Sequence, residues 1–331
     1  MSLEQPRILI VKLSSLGDVV HAMAAVQDIR RAYPKAQIDW VVERSFGALV
    51  RRCTGVNRVI DCELRRWRKA PLSAQTWRAW RSFKAELQRE PYDAVIDLQG
   101  LSKSALISWL AHLTPQGRRY GLAVQSEGSS FEAPARWVAD VAIELPTHIH
   151  AVDRSRQLCA KALGYKLTRD LSFGLTAKLP AKLSNSPLVA LIHGTSRADK
   201  QWPVASWQTL GQRLSQQGCR LALPCGSDAE EQVARQIVSG LADAEVWPRL
   251  ELDALSDALS GCAGVIGVDS GLSHIAVALN LPHVQIYNFD TAWRTGPQSA
   301  VHQCSVFASP APSVEAVWKA WLGLTHQTHS T

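Results

Sequence analysis

A chain of 331 residues with 46% hydrophobic and 20% charged residues is long enough for about two domains of ordinary size, and its composition excludes a disordered or fibrous protein. No apolar run reaches the roughly 18 residues of a membrane span, and residues 1–6 lack the basic stub and apolar stretch of a signal peptide, so a cytoplasmic location is expected. The net charge of +7 is uneven, because the segment Arg44 to Arg89 alone carries +9 and the rest of the chain sums to −2.

Trp67, Trp77 and Trp80 sit among those cations. The mixture suits an anionic membrane surface or an anionic ligand; a solvated helix face with its tryptophans turned inward is the other reading. No nucleic-acid-binding module accompanies the charge, so no nucleic-acid partner is expected. The seven cysteines are scattered and never spaced C-x-x-C, which predicts reduced, mostly buried thiols rather than disulfides or a zinc site.

In chain order, Ile8 to Val11 is a short branched apolar run ending at Lys12, as expected of a buried parallel strand. After the polar turn Leu13 to Asp18, the spacing of Met23, Val26, Ile29 and Tyr33 predicts an amphipathic helix closed by Pro34. Ile38 to Val42 and Ala94 to Leu98 read as further strands, the second followed by a helix over Ser102 to His112. Gly164 to Pro187 is polar and weakly periodic and reads as a linker region. Beyond it, strands are expected at Leu188 to Ile192, Arg220 to Pro224, Gly264 to Val268 and His283 to Tyr287. Helices are expected at Val204 to Gln216, Ala229 to Ser239 and Leu272 to Leu279. This alternation predicts two doubly wound α/β domains, residues 1–172 and 173–331.

In such sheets ligands bind at the carboxyl ends of strands, which singles out three loops. The first, Lys12 to Asp18, has one glycine and is neither a Walker A loop nor G-x-G-x-x-G. Asp18 at a helix start reads either as an N-cap or as a catalytic base, with His21 one turn on. The second, His193 to Pro203, gathers Thr195, Ser196, Arg197 and Lys200, a set able to bind a phosphate and steady a leaving anion. The third, Val268 to His274, is strand, tight turn and helix N-terminus, with Gly271 allowing close backbone approach. Asp269 there is expected to accept hydrogen bonds from loop amides or a ligand hydroxyl. Glu230, in the turn after the 220–224 strand, could hold a ribose diol. No D-x-D triplet occurs, which argues against metal-diphosphate chelation; neither a metal site nor a cofactor is expected.

The stretches R-I-L-I-V-K-L-S-S-L-G-D-V-V-H (7–21), R-R-W-R-K (65–69), Y-D-A-V-I-D-L-Q-G-L-S-K-S-A (92–105), H-A-V-D-R (150–154), D-K-Q-W-P (199–203) and V-D-S-G-L-S-H (268–274) together resemble the lipopolysaccharide heptosyltransferases, the ADP-heptose glycosyltransferases, type I members most closely. The resemblance implies a GT-B architecture of two Rossmann-like domains facing a cleft, with a C-terminal helix, 313–324, crossing back to the first domain. It implies ADP-L-glycero-β-D-manno-heptose as donor and the Kdo of Kdo-lipid A, at the inner face of the inner membrane, as acceptor. Carried over by position, Asp18 matches the family's catalytic base in an inverting transfer and Lys200 the lysine near the donor phosphates. Thr195, Ser196, Glu230, Asp269, Ser270, Gly271 and His274 fall on the donor side. Ser15, Gly17, Arg65, Arg66, Gln99, Lys103, His150 and Arg154 fall on the acceptor side. The implied picture sets the Asp18 carboxylate and the Lys200 ammonium on opposite walls of one cleft.

Two stretches depart from the family pattern. Asn288-Phe289-Asp290 stands where Gly-Pro-Thr is usual, and Val124 to Trp137, basic in relatives, carries two glutamates. Related activities on the same fold are a type II heptosyltransferase, a protein O-heptosyltransferase and a non-catalytic nucleotide-sugar binder.

Overall fold

A computed structural model describes residues 5–179, 186–298 and 301–328. Residues 1–4 of the N-terminal stub and 180–185 of the expected linker lie outside the described residues. The chain divides into two units, Met1–Leu175 and Thr176–Thr331.

The first unit runs β1 (Arg7–Val11), α1 (Leu16–Ala32), β2 (Gln37–Glu43), α2 (Arg44–Val50), β3 (Arg58–Cys62), α3 (Leu64–Lys69), α4 (Ala74–Leu87), β4 (Tyr92–Asp97), α5 (Ser102–Leu110), β5 (Leu113–Leu122), α6 (Ala133–Val138), β6 (Val141–Ile143) and α7 (Ala151–Leu163). Its six strands are ordered β3-β2-β1-β4-β5-β6 and all pair in parallel. Ile8, Leu9, Ile10 and Val11 are fully buried because β1 is central and helices cover both faces. The linker stretch is fastened to this unit as far as Leu175: Thr54 N donates to the Gly174 carbonyl at 2.8 Å, and Leu175 bridges to Cys53.

The second unit runs β7 (Leu188–Ile192), a 3-10 turn (Ala198–Lys200), α8 (Val204–Gln216), β8 (Arg220–Leu223), α9 (Asp228–Val238), β9 (Ala244–Val246), α10 (Leu252–Ser260), β10 (Gly264–Val268), α11 (Gly271–Ala278), β11 (His283–Tyr287), α12 (Ala292–Thr295), β12 (Gln303–Phe307) and α13 (Val314–Thr328). Its parallel sheet reads β12-β11-β10-β7-β8-β9, the same topological order as the first unit. The C-terminal helix α13 packs on β11, β12 and α8 of its own unit, with Val317 and Trp321 buried in the core beside Trp202 and Trp207.

Both sheets therefore reverse their strand order between two neighbouring strands, β1/β4 in one and β7/β10 in the other. A crevice opens at such a reversal because the connections leave to opposite faces, so ligands lodge beyond the carboxyl ends of these strands. Lys12, Gln99, His193 and Asp269 all follow these strand ends.

Candidate active site

In the first unit, helix α1 starts at Leu16, so Asp18 is not the N-cap but the third helical residue; Ser15 is the N-cap. Oδ2 of Asp18 accepts the Ser15 backbone N–H at 3.2 Å and its hydroxyl at 2.8 Å, one arm of a capping box. Oδ1 is the freer atom. It lies 3.8 Å from Lys12 Nζ and 3.7 Å from Arg154 Nη2, and both cations are buried while the Asp18 side chain remains 33% exposed. Burial pushes the carboxyl up, but Lys12, His21, the Ser15 hydrogen bond and Arg154 together hold it well below the usual carboxylate range. Burial also lowers the Lys12 ammonium, against the pull of Asp18.

Two residues expected on the acceptor side, Gln99 and Lys103, also brace this loop. Gln99 Oε1 accepts the backbone N–H of both Leu13 and Ser14 at 3.1 Å. Lys103 Nζ donates to Ser14 Oγ at 3.3 Å, and Lys12 Nζ to the Leu98 carbonyl at 3.1 Å. The buried Asp97, absent from the sequence expectation, accepts the Gln99 and Gly100 amides at 2.8 and 3.0 Å and Ser104 Oγ at 2.8 Å, locking the turn that presents Gln99. His150 caps α7, its Nδ1 accepting Val152 N at 3.1 Å, with its ring 6.1 Å from that of His21. Arg154 lies one turn along α7, its Nη1 3.3 Å from Ser126 Oγ. Gly17 is the second residue of α1. Arg65 and Arg66 are exposed on α3, and Arg66 pairs with Glu63 at 3.0 Å. The buried Glu43 lines one cavity with Arg65 and Lys103; burial raises its carboxyl against both cations.

In the second unit the 193–203 and 268–274 loops, with β11 and α12, converge on Asp269. Lys200 Nζ lies 2.5 Å from Oδ2, while His274 Nε2, Thr295 Oγ1 and Gln285 Nε2 approach Oδ1 at 3.4, 3.4 and 3.5 Å. Of the two expected roles, bonds to loop amides or to a ligand hydroxyl, the first gives way to side chains on both carboxylate oxygens, and Thr195 Oγ1 donates to the Asp269 backbone carbonyl at 3.3 Å. Burial pushes the Asp269 carboxyl up, yet His274 and Lys200 bring it well below its ordinary value. The hydroxyl of Ser270, the N-cap of α11, is buried and has no hydrogen-bond partner among the described residues. Ser196 is exposed. Glu230 lies in the first turn of α9, within the helix expected there. Ser227 Oγ accepts its N–H at 3.2 Å, and its Oε2 accepts Gly226 N at 2.7 Å. Its carboxyl lies so close to Gly194 that a β-carbon there would sit 2.9 Å from Glu230 Cδ, so any side chain at 194 would displace the Glu230 carboxylate.

The departure at Asn288 has a structural consequence. Its Nδ2 donates to the carbonyls of Asp199 and Gln201 at 3.1 and 2.9 Å, tying down both neighbours of Lys200, while Arg197 lies over the Phe289 ring. Among the described residues no group of three or more His, Cys, Asp or Glu side chains could hold a metal, and no helix is long and apolar enough to cross a membrane.

Residues 80–317 match the sequence profile of Glycosyltransferase family 9 (heptosyltransferase). The chain belongs to that family. It is 39% identical over 287 residues to lipopolysaccharide heptosyltransferase 1 of Escherichia coli K12, an alignment covering 85% of this chain and 87% of that protein. The solved E. coli heptosyltransferase WaaC with ADP superposes with a TM-score of 0.85 at 34% identity, covering 95% of this chain and 98% of that one. The same enzyme with ADP-2-deoxy-2-fluoro heptose gives 0.77 at 33% identity, covering 98% and 99%. The fold, with its two parallel six-stranded sheets, is of the GT-B type.

Lys12, Asp97, Glu43, Gln285 and Thr295 are the neighbours that sequence reasoning missed. Two had a readable signal: Lys12 closes an apolar strand, and Gln285 interrupts one. Thr295 had none, since only the fold brings it to Asp269.

Proposed function

We propose that this family 9 glycosyltransferase moves L-glycero-D-manno-heptose from ADP-L-glycero-β-D-manno-heptose to the Kdo sugar of Kdo-lipid A, with inversion at the anomeric carbon, as a peripheral protein at the anionic inner face of the inner membrane. The observation that carries this reading is an ionised carboxylate, Asp18, one-third open to solvent and backed by two buried cations. Asp18 takes the proton of the attacking Kdo hydroxyl. A carboxylate held so far below its ordinary range is a weak base, and an anionic acceptor remedies this. As the acceptor's negative groups draw on the charge of Arg154 and Lys12, the basicity of Asp18 rises toward that of an ordinary carboxylate.

The leaving group is ADP, whose diphosphate gains charge as the glycosidic bond breaks. Lys200, pre-oriented by Asp269, and the first-turn amides of α11 supply a fixed positive field for it without reorganisation. Thr195, Ser196, Ser270, Gly271 and His274 complete the diphosphate side, and Glu230 takes the ribose hydroxyls. Ser15, Gly17, Arg65, Arg66, Gln99, Lys103, His150 and Arg154 form the acceptor side, with Gln99 and Lys103 acting through the loop they brace. The test is transfer of radiolabelled heptose from ADP-heptose to defined acceptors bearing one Kdo, two Kdo, or Kdo plus one heptose. Product with the Kdo acceptors supports the reading; product only with the heptose-bearing acceptor refutes it.

A further inference from the structure

We propose that the first unit carries a binding slot for one acyl chain of an anionic membrane phospholipid, formed where α3, α4 and α5 meet. The inference rests on the reading that the enzyme works at an anionic membrane surface, and it names the contact made there. A cavity of about 500 Å³ lies among these helices, within the usual range of ligand pockets, roughly 300–1,000 Å³. Its walls are Leu64, Trp67, Pro71, Trp77, Trp80 and Leu106, a lining that suits an alkyl chain and offers little to a sugar. The buried Trp67 packs edge-on against Trp80, ring centres 5.5 Å apart, and at a tilt against Phe83 at 5.4 Å, so its ring is held in an aromatic cluster.

The rim has the chemistry of a lipid interface. Trp77 and Leu106 line the cavity yet remain 55% and 44% exposed. Leu72, which follows Pro71, is 89% exposed, and Trp109, one helical turn after Leu106, is 61% exposed. Two lining side chains that stand in water, with two more exposed apolar side chains next to lining residues in sequence or one helical turn on, call for an apolar partner such as a bilayer. Arg65, Arg68 and Lys103 also line the cavity, against the single acid Glu43, so the slot combines apolar walls with a net positive mouth. That complementarity selects a phosphate-bearing amphiphile over a neutral lipid or an apolar peptide.

Full-length protein is mixed with phosphatidylethanolamine/phosphatidylglycerol vesicles whose acyl chains carry bromine, a contact quencher of tryptophan. Co-sedimentation with the vesicles scores membrane binding separately. The slot predicts bromine-dependent quenching in the native protein. It also predicts that the double variant Trp77→Asp/Leu106→Asp, altered only at exposed positions, needs about tenfold more lipid for half-maximal quenching. Val301→Asp, a charge at an exposed apolar site of the second unit, leaves the curve in place. Thermal melting confirms that each variant is folded. Co-sedimentation without bromine quenching overturns the slot and leaves the membrane reading standing, whereas the absence of both overturns both. Equal quenching in the double variant, or quenching only when Kdo-lipid A is added to the vesicles, also overturns it, the latter by assigning the slot to the acceptor's own chain. Heptose transfer to a water-soluble, deacylated Kdo acceptor in the same samples tests the enzymatic reading independently.

Discussion

The ammonium of Lys200 sits 2.5 Å from Oδ2 of Asp269, and the other oxygen of that carboxylate is approached by His274, Gln285 and Thr295. A buried acid engaged on both oxygens cannot swing toward a ligand, so it fixes the lysine that would otherwise sample many rotamers. Asp269→Asn keeps the shape and removes the charge. It is expected to lower kcat/KM for ADP-heptose by roughly 10–100-fold, whereas Lys200→Ala costs about 100–1,000-fold. Steady-state kinetics against donor concentration check this; an Asp269→Asn enzyme within twofold of native would show that the lysine needs no anchor.

Asp18→Ala is expected to reduce turnover by roughly 100–10,000-fold while ADP binding stays within twofold. The same change removes an acceptor for the Ser15 backbone and hydroxyl and so destabilises the start of α1 by about 1 kcal/mol. Transfer rates, calorimetric titration with ADP and a urea melt separate the chemical loss from the structural one.

Asn288→Ala releases the carbonyls on either side of Lys200. Donor KM should rise by about tenfold, with a smaller effect on kcat, as expected for a loss of about 1–2 kcal/mol of positioning. Asn288→Asp cannot donate to those carbonyls and should fare no better. An Asp variant with native KM would remove the residue from this role.

Stability should fall on mild acidification because of His283. Complete burial pulls its imidazole down to about 4, against the hydrogen bond to the Val265 carbonyl. Below its ordinary pKa of about 6.5 the unfolded chain binds a proton that the folded chain refuses until near pH 4, so stability is present above that window and lost through it, by up to about 3 kcal/mol. Asp18 acts lower: its folded pKa is depressed, so its contribution is complete above the ordinary carboxylate range and disappears only below about pH 4. Urea unfolding between pH 7.5 and 4.5 should show a steeper decline for the native protein than for His283→Asn. Parallel curves would mean that another group carries the dependence.

Local pattern was enough for much of the chain. The strands Leu188–Ile192, Gly264–Val268 and His283–Tyr287 and the helix Val204–Gln216 coincide with the runs and spacings that announce them, because a buried parallel strand is apolar along most of its length, His283 and Gln285 being the exceptions. Asp18, Lys200, Asp269 and Glu230 could be singled out for a similar local reason: each lies in the polar stretch that runs from a buried strand into the helix after it, where ligands lodge in such sheets. Ser15-x-x-Asp18 and Ser227-x-x-Glu230 even share one helix-start spelling, an N-cap serine with an acid three residues on. What those residues touch was decided elsewhere. Gln99 spends its carbonyl on the amides of Leu13 and Ser14, Asp269 holds a lysine 69 positions away, and Asn288 grips the backbone beside that lysine. A single residue's type and neighbours encode its charge and its element, but hydrogen bonds across a sheet reversal depend on which strand ends meet, and that is set only when each parallel sheet has formed, with β1 beside β4 in one and β7 beside β10 in the other.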